Sequence, residues 1–223
     1  MCFSAQASFT SGAVLSAIGV ATVSKVRKPE QKLFAVIPIL FAFQQFAEGV
    51  LWVTLRSGGY ERLQDVATHI FLVTALIIWP VMVPLSMWFM EGVKTRKKIL
   101  VGLMAAGGVV SIFYAICLLS LSVYPEIQSF HIVYVNNFPS TPAGIGLLFY
   151  AAATIAPLFV SSVRRMWLFG ILIATSFVVT GIFYAEYLTS VWCFFAALIS
   201  VSIYWVLIES RSKAGSLATE IQH

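Results

Sequence analysis

The sequence predicts an all-α integral membrane protein, a seven-helix bundle with its N-terminus outside and its C-terminus in the cytoplasm. Of its 223 residues, 60% are hydrophobic and only 10% are charged, whereas soluble domains usually carry about 25% charged residues. The mean hydropathy is +0.92. Because so few polar side chains cannot cover an apolar core, we expect lipid to be the solvent and membrane lipids to be partners.

Seven apolar runs have about the length that a spanning helix needs, which is about 20 residues. The first is rich in small residues, which favours close helix packing. The third contains Pro80 and Pro84, which remove backbone donors and predict a kink. The runs cover residues 8–26, 33–55, 65–90, 99–122, 142–163, 166–184 and 191–208. They predict one membrane domain over residues 1–210, followed by a cytoplasmic tail at 211–223.

The basic residues predict the orientation of the bundle. Twelve of the 14 lie in alternate loops or after the last run, and only Arg56 and Arg62 lie on the opposite side. Basic residues accumulate in cytoplasmic loops, so these loops should be cytoplasmic, in the inner (plasma) membrane of the cell. The net charge of +5 therefore reflects membrane orientation, and we expect no nucleic-acid partner. Since the first basic residue, Lys25, lies at the end of the first run and none precedes that run, no cleavable signal peptide is expected.

The longest loop, from about residue 123 to 141, should face outside. Residues 129–135 are rich in β-branched and aromatic side chains, and Asn136, Asn137 and Pro139 follow them. This pattern indicates a short strand or hairpin forming a lid over the outer mouth of the bundle. The alternative is an ordered loop without a chemical role.

Ionisable groups within the hydrocarbon cost roughly 2.5–3.5 kcal/mol each, so the few in this chain are candidates for function. Gln44, Glu48 and Trp52 recur at i+4 and should form a polar face that points into the bundle. Asp65 and His69 share a face of the next helix in the same way. Glu48 lies about 22 Å up its helix and His69 about 6 Å down the next, so the two side chains should lie at similar depth.

These residues predict an outward-facing zinc site. Glu48 and His69 would bind the ion, with Cys2 as the third ligand, which leaves the open position typical of catalytic zinc. Asp65 or His131 would orient or deprotonate the metal-bound water. Gln44, Trp52, Tyr134 and Glu186 are the predicted substrate-binding residues. In the alternative interpretation, Glu48 and His69 bond each other and only fix helix packing.

Two segments resemble a known family. The first is Met-Cys-Phe-Ser-Ala at residues 1–5, and the second is Ser-Val-Trp-Cys-Phe-Phe-Ala-Ala at 190–197, with Gln44, Gln45, Glu48 and Gly49 between them. They resemble an uncharacterised family of bacterial multipass membrane proteins, which implies no activity. The seven-helix plan is also similar to the alkaline ceramidase and progestin-receptor-like membrane hydrolases, which implies zinc held among the helices. The chain departs from those hydrolases because it lacks HxxxH and has three histidines, one of them the terminal His223.

The leading hypothesis from the sequence is a metal-dependent hydrolase that attacks an ester or amide of a lipid or small molecule. One alternative is a proton- or cation-linked transporter or channel built on Glu48 and His69, which predicts a polar path towards the cytoplasm. Another is a sensor or accessory subunit whose outer loop binds a partner.

Overall fold

The computed structural model is mostly α-helical and describes residues 4–139 and 145–205. Within these ranges six helical segments are long and apolar enough to cross a membrane, and Ile145–Val160 is a shorter apolar helix. The elements are α1 (Ala5–Ser24), α2 (Lys32–Ala35), α3 (Ile37–Ser57), α4 (Glu61–Leu72), α5 (Trp79–Met90), α6 (Lys94–Ser120), β1 (Val123–Gln128), β2 (His131–Asn136), α7 (Ile145–Val160), α8 (Met166–Phe183) and α9 (Leu188–Ser200). The structure thus supports a predominantly helical membrane protein.

The helix bounds lie close to the predicted ones wherever the structure describes them. α1 begins three residues early because Ser4 caps it, its Oγ accepting a hydrogen bond from Ala7 N at 3.2 Å. α8 ends one residue earlier than predicted. The predicted ends at residues 142 and 208, and the tail at 211–223, lie outside the described residues.

The helical segment Glu61–Met90 is continuous although it contains Pro80 and Pro84. We call it the proline-containing rod. A π-helical segment, Val73–Ile78, joins α4 to α5 immediately before Pro80. Proline lacks the N–H that an α-helix needs, and a local π adjustment is one way in which a membrane helix accommodates such a defect. The predicted disturbance is present, as a local widening of the helix.

Side chains from neighbouring helices bond the carbonyl groups of this π segment. Tyr150 OH of α7 donates a hydrogen bond to Ala75 O, and Ser111 Oγ of α6 donates to Ile77 O at 2.8 Å. Lipid offers no substitute partner for an exposed carbonyl. The two bonds therefore fix the rod against α6 and α7.

The helices pack in a ring that α9 closes by contacting both α8 and α3. α1 packs along α3, where glycines allow close approach: a Cβ on Gly12 would come within 2.9 Å of the Phe46 ring. The buried stripe of α1 consists mainly of small residues, namely Ser8, Gly12, Leu15, Gly19 and Thr22. The expectation that small residues serve helix packing is confirmed.

The long loop forms the predicted hairpin. β1 and β2 pair antiparallel from Val123 opposite Asn136 to Gln128 opposite His131, and Ser129 turns the chain with a φ of 57°. β1 contacts α3 and α4, and β2 contacts the start of α9. The hairpin therefore covers the end of the bundle at which α3 ends and α4 and α9 begin.

Basic residues gather at the opposite end, where the α1–α2, α5–α6 and α7–α8 connections lie together. Arg27, Lys28, Met90 and Val163 border one surface depression there. A buried carboxylate joins two of the connections: Glu91 accepts hydrogen bonds from Ser162 N at 2.6 Å and Ser162 Oγ at 2.7 Å. The charge asymmetry predicted from the sequence is thus present between the two ends.

Candidate functional site

Glu48 lies in the interior of the bundle. Its side chain is fully buried on α3, and Oε1 accepts a hydrogen bond from the hydroxyl of Ser190 near the start of α9. A buried carboxylate is costly without hydrogen-bond donors, so this bond helps to explain why the chain tolerates Glu48 here. The predicted inward direction of the polar face of α3 is confirmed.

Gln44, one turn earlier, is equally buried and joins three elements. Its Oε1 accepts a hydrogen bond from Trp79 Nε1 at 3.0 Å. Its Nε2 donates to Phe71 O at 3.4 Å and lies 3.7 Å from Cys193 Sγ. Gln44 thus acts as an internal crosslink among α3, the proline-containing rod and α9.

The same half of α3 holds further buried polar atoms. Neither amide atom of Gln45 has a hydrogen-bond partner among the described residues, and the same holds for Trp52 Nε1. The Arg56 guanidinium lies 5.2 Å from the centre of the Trp52 ring. Thr68 Oγ1 on the facing α4 also lacks a partner within the described chain. Such atoms are rare in native proteins, and they mark this region as the polar centre of the bundle.

Asp65 and His69 form the predicted pair on α4. His69 Nδ1 lies 3.2 Å from Asp65 Oδ1 and 2.9 Å from the Asp65 carbonyl oxygen. The two side chains are 64% and 39% exposed respectively, so the pair lies on an accessible face. Glu48, by contrast, is bonded inside the bundle.

The predicted zinc ligands are therefore described only in part. Cys2 lies outside the described residues. Within residues 4–139 and 145–205, no group of three or more His, Cys, Asp or Glu side chains is placed to hold a metal ion. The donor types of Glu48 and His69 suit zinc, but one is buried with Ser190 and the other is paired with Asp65. The zinc site stays a prediction.

His131 is buried at the start of β2, where it packs against two tyrosines. Its ring centre lies 4.5 Å from that of Tyr187 and 5.4 Å from that of Tyr184. Burial lowers the pKa of His131 from its usual 6.5, because loss of water disfavours the charged ring. The His131 ring therefore favours its neutral form, and its packing on Tyr184 and Tyr187 fastens the hairpin to the turn before α9.

A pocket of about 400 Å³ opens beneath the hairpin. We call it the hairpin pocket. Its walls come from α4 and the π segment, α6, β2, α7 and the start of α9, and they carry both polar and apolar groups. Of the four residues predicted to bind substrate, Tyr134 and Glu186 line this pocket, whereas Gln44 and Trp52 do not. Tyr134 also stacks on Phe71, with ring centres 4.9 Å apart.

Three polar residues emerge only from the structure. Ser190 lines the hairpin pocket and bonds Glu48, and Asn136 lines the same pocket. Glu91 is the buried acceptor at the basic end. Ser190 belongs to the segment that carries the family resemblance, but a lone serine at a helix start gives no chemical signal in a sequence.

Comparison with known proteins supports membership of an uncharacterised family. No curated protein and no solved structure matches the chain significantly. The profile of a family of unknown function, DUF6629, matches residues 1–218, nearly the whole length. The chain belongs to this DUF6629 family.

Proposed function

We propose that this protein binds an amphiphile, a lipid or a lipid-like small molecule, in the hairpin pocket. The observation that supports it most directly is the pocket itself, which has mixed polar and apolar walls and lies at one end of an apolar bundle. Ligand sites typically combine an apolar lining with a few placed polar groups. Here Asn136, Glu186 and Ser190 supply the polar groups, and Leu72 and Leu76 supply apolar wall.

The proposal includes a topology of seven crossings with the hairpin outside the inner (plasma) membrane and the basic end in the cytoplasm. The concentration of Lys and Arg at one end supports it. We would introduce a cysteine at Glu126 in β1 or at Lys97 near the start of α6, in a background with the native cysteines replaced. A membrane-impermeant maleimide added to intact spheroplasts should label only the Glu126 position. Labelling of Lys97 alone would reverse the topology.

Binding can be tested with a variant that fills the pocket. Thr189 lines it, and Thr189→Trp should displace a bound amphiphile, while Thr189→Ser should not. The measurement is native mass spectrometry of the purified protein after addition of lysophospholipid. Equal binding by the wild type and both variants would refute the placement of the ligand.

Hydrolysis of the bound amphiphile is the second candidate function, because Ser190 both lines the pocket and donates its hydroxyl proton towards Glu48. In a metal-free route, Glu48 would take that proton as Ser190 Oγ attacks an ester carbonyl. The alcohol would leave with a proton, and water would then release the acid and restore Ser190. In the zinc route predicted from the sequence, Glu48, His69 and Cys2 would hold the ion, which would supply a water of lowered pKa as the nucleophile.

The two routes differ in their tests. Ser190→Ala should abolish esterase activity in the first. Ser200→Ala is the matched control, because Ser200 is buried on the same helix and, among the described residues, its hydroxyl bonds only the carbonyl of Ala197. In the second, elemental analysis should find one zinc per wild-type chain and none in Glu48→Gln or His69→Ala. A stable wild-type protein prepared without chelator and carrying no stoichiometric zinc would end the zinc route.

A further inference from the structure

Two smaller cavities lie below the hairpin pocket. The upper one, of about 120 Å³, is bordered by Tyr114, Tyr150 and Trp192 among others. The lower one, of about 50 Å³, lies at the centre of the bundle. It is bordered by residues of α3, α5, α7, α8 and α9, including Trp79, Thr154 and Ala196.

The three spaces share wall residues, which places the upper cavity between the hairpin pocket and the lower cavity. Leu76, Leu188 and Thr189 border both the hairpin pocket and the upper cavity. Tyr150 and Cys193 border both the upper and the lower cavity. The three spaces therefore follow one another from the polar pocket at the end of the bundle towards its centre.

Few polar atoms in the walls of the two smaller cavities are free to bond a ligand, because most of them are already hydrogen-bonded within the protein. Tyr150 OH donates to Ala75 O, and Thr154 Oγ1 donates to Tyr150 O at 2.8 Å. Cys193 Sγ faces the amide of Gln44 at 3.7 Å. Among the described wall residues, Trp192 Nε1 is an exception and has no partner. Walls whose polar atoms are mostly bonded in this way favour hydrocarbon over water.

We propose that the ligand of the hairpin pocket carries one hydrocarbon chain, which extends through the upper cavity to the lower one between α5, α7 and α9. The proposal rests on the amphiphile-binding function and adds the chemical class: a single-chain amphiphile such as a fatty acid or lysolipid, with its polar group near Asn136 and Glu186. The narrowing from about 400 to 120 to 50 Å³ matches a polar head followed by one slender chain.

Chain length is the first measurable consequence. Each methylene moved from water into an apolar cavity favours binding by about fourfold. Affinity for a series of fatty acids, from eight to 16 carbons and corrected for partition into empty amphipol, should therefore rise with length and then level off. Ala196 borders the lower cavity only, so Ala196→Leu should make affinity level off at a shorter chain and leave the eight-carbon acid unaffected.

The position of the chain can be read from tryptophan fluorescence, because Trp79 and Trp192 border the lower cavity. A bromine atom quenches tryptophan on contact, so 16-bromohexadecanoic acid should quench the full-length protein in amphipol saturably. Trp192→Phe should lose a large part of the saturable quenching. Trp167→Phe is the matched control, since Trp167 is 53% exposed on the outer surface of the bundle.

The outcomes separate this inference from the function on which it rests. Saturable quenching that depends on Trp192, together with the shift caused by Ala196→Leu, supports a chain inside the bundle. Binding that Thr189→Trp abolishes, but that shows neither chain-length dependence nor quenching at Trp192, overturns the internal chain and leaves the amphiphile pocket. Absence of any binding overturns both.

Discussion

Glu91 should stabilise the protein by tying together two connections at the basic end. It is 3% exposed and accepts hydrogen bonds from Ser162 N, Ser162 Oγ and Val93 N at 2.6, 2.7 and 2.9 Å. A hydrogen bond to a charged group contributes about 1.5–3 kcal/mol. Because the three bonds share one acceptor group, we expect Glu91→Ala to lower the free energy of unfolding by about 3 kcal/mol. Glu91→Gln retains one acceptor oxygen and should cost less.

The pH dependence supplies an independent check. Burial raises the pKa of Glu91, but the hydrogen bonds from Ser162 and Val93 outweigh it, and the net pKa lies below the usual 4.5. A carboxyl whose pKa is lowered by folding stabilises the protein above its unfolded pKa and loses that effect as the pH falls through its folded pKa. The difference between wild type and Glu91→Gln should therefore be constant near neutrality and shrink below about pH 4.5.

The assay is reversible unfolding in mixed micelles of a mild detergent and sodium dodecyl sulfate, followed by circular dichroism. Glu126→Ala is the control, since Glu126 is exposed in β1 and its carboxylate accepts, within the described part of the chain, only a 3.4 Å hydrogen bond from Gln128. That control should stay within about 0.5 kcal/mol of the wild type. A change as small as this for Glu91→Ala would refute the reasoning.

Two further substitutions test the packing around the proline-containing rod, each by the same unfolding assay. Gly107→Ala should destabilise the protein by at least about 2 kcal/mol, because its Cβ would overlap the Pro80 carbonyl group. The control is Gly108→Ala, whose Cβ meets no described atom and which should be neutral. Equal effects of the two substitutions would contradict this packing. Tyr150→Phe should cost about 1–3 kcal/mol, because Ala75 O would lose its donor inside the bundle, and an unchanged stability would show that this bond is not needed.

Features set by local sequence were predictable, and features set by contacts between distant residues were not. The helices followed from apolar runs of spanning length, and the Asp65–His69 pair followed from i,i+4 spacing alone. The hairpin followed from its β-branched and aromatic residues. The inward direction of Glu48 followed from the cost of a carboxylate in lipid.

Ser190 and Glu91 could not be found in this way, because their partners lie 142 and 71 residues away along the chain. The π segment was missed for a related reason. Pro80 predicts that the helical hydrogen bonding is disturbed, but the outcome depends on donors from other helices. Here Ser111 and Tyr150 bond carbonyls of the segment, so the disturbance takes the form of a π segment, and the kink itself stays a prediction.

The same π segment connects the fold to the proposed binding function. Leu76 lies within it and borders the hairpin pocket and the upper cavity. Tyr150 bonds the neighbouring carbonyl of Ala75 and borders both the upper and the lower cavity. A regular α-helix would rotate the later side chains relative to α7 and change the shape of these walls. The prolines after the segment therefore help to define the walls of these spaces. Because Tyr150 bonds the segment and borders the two smaller cavities, Tyr150→Phe should weaken long-chain binding more than short-chain binding.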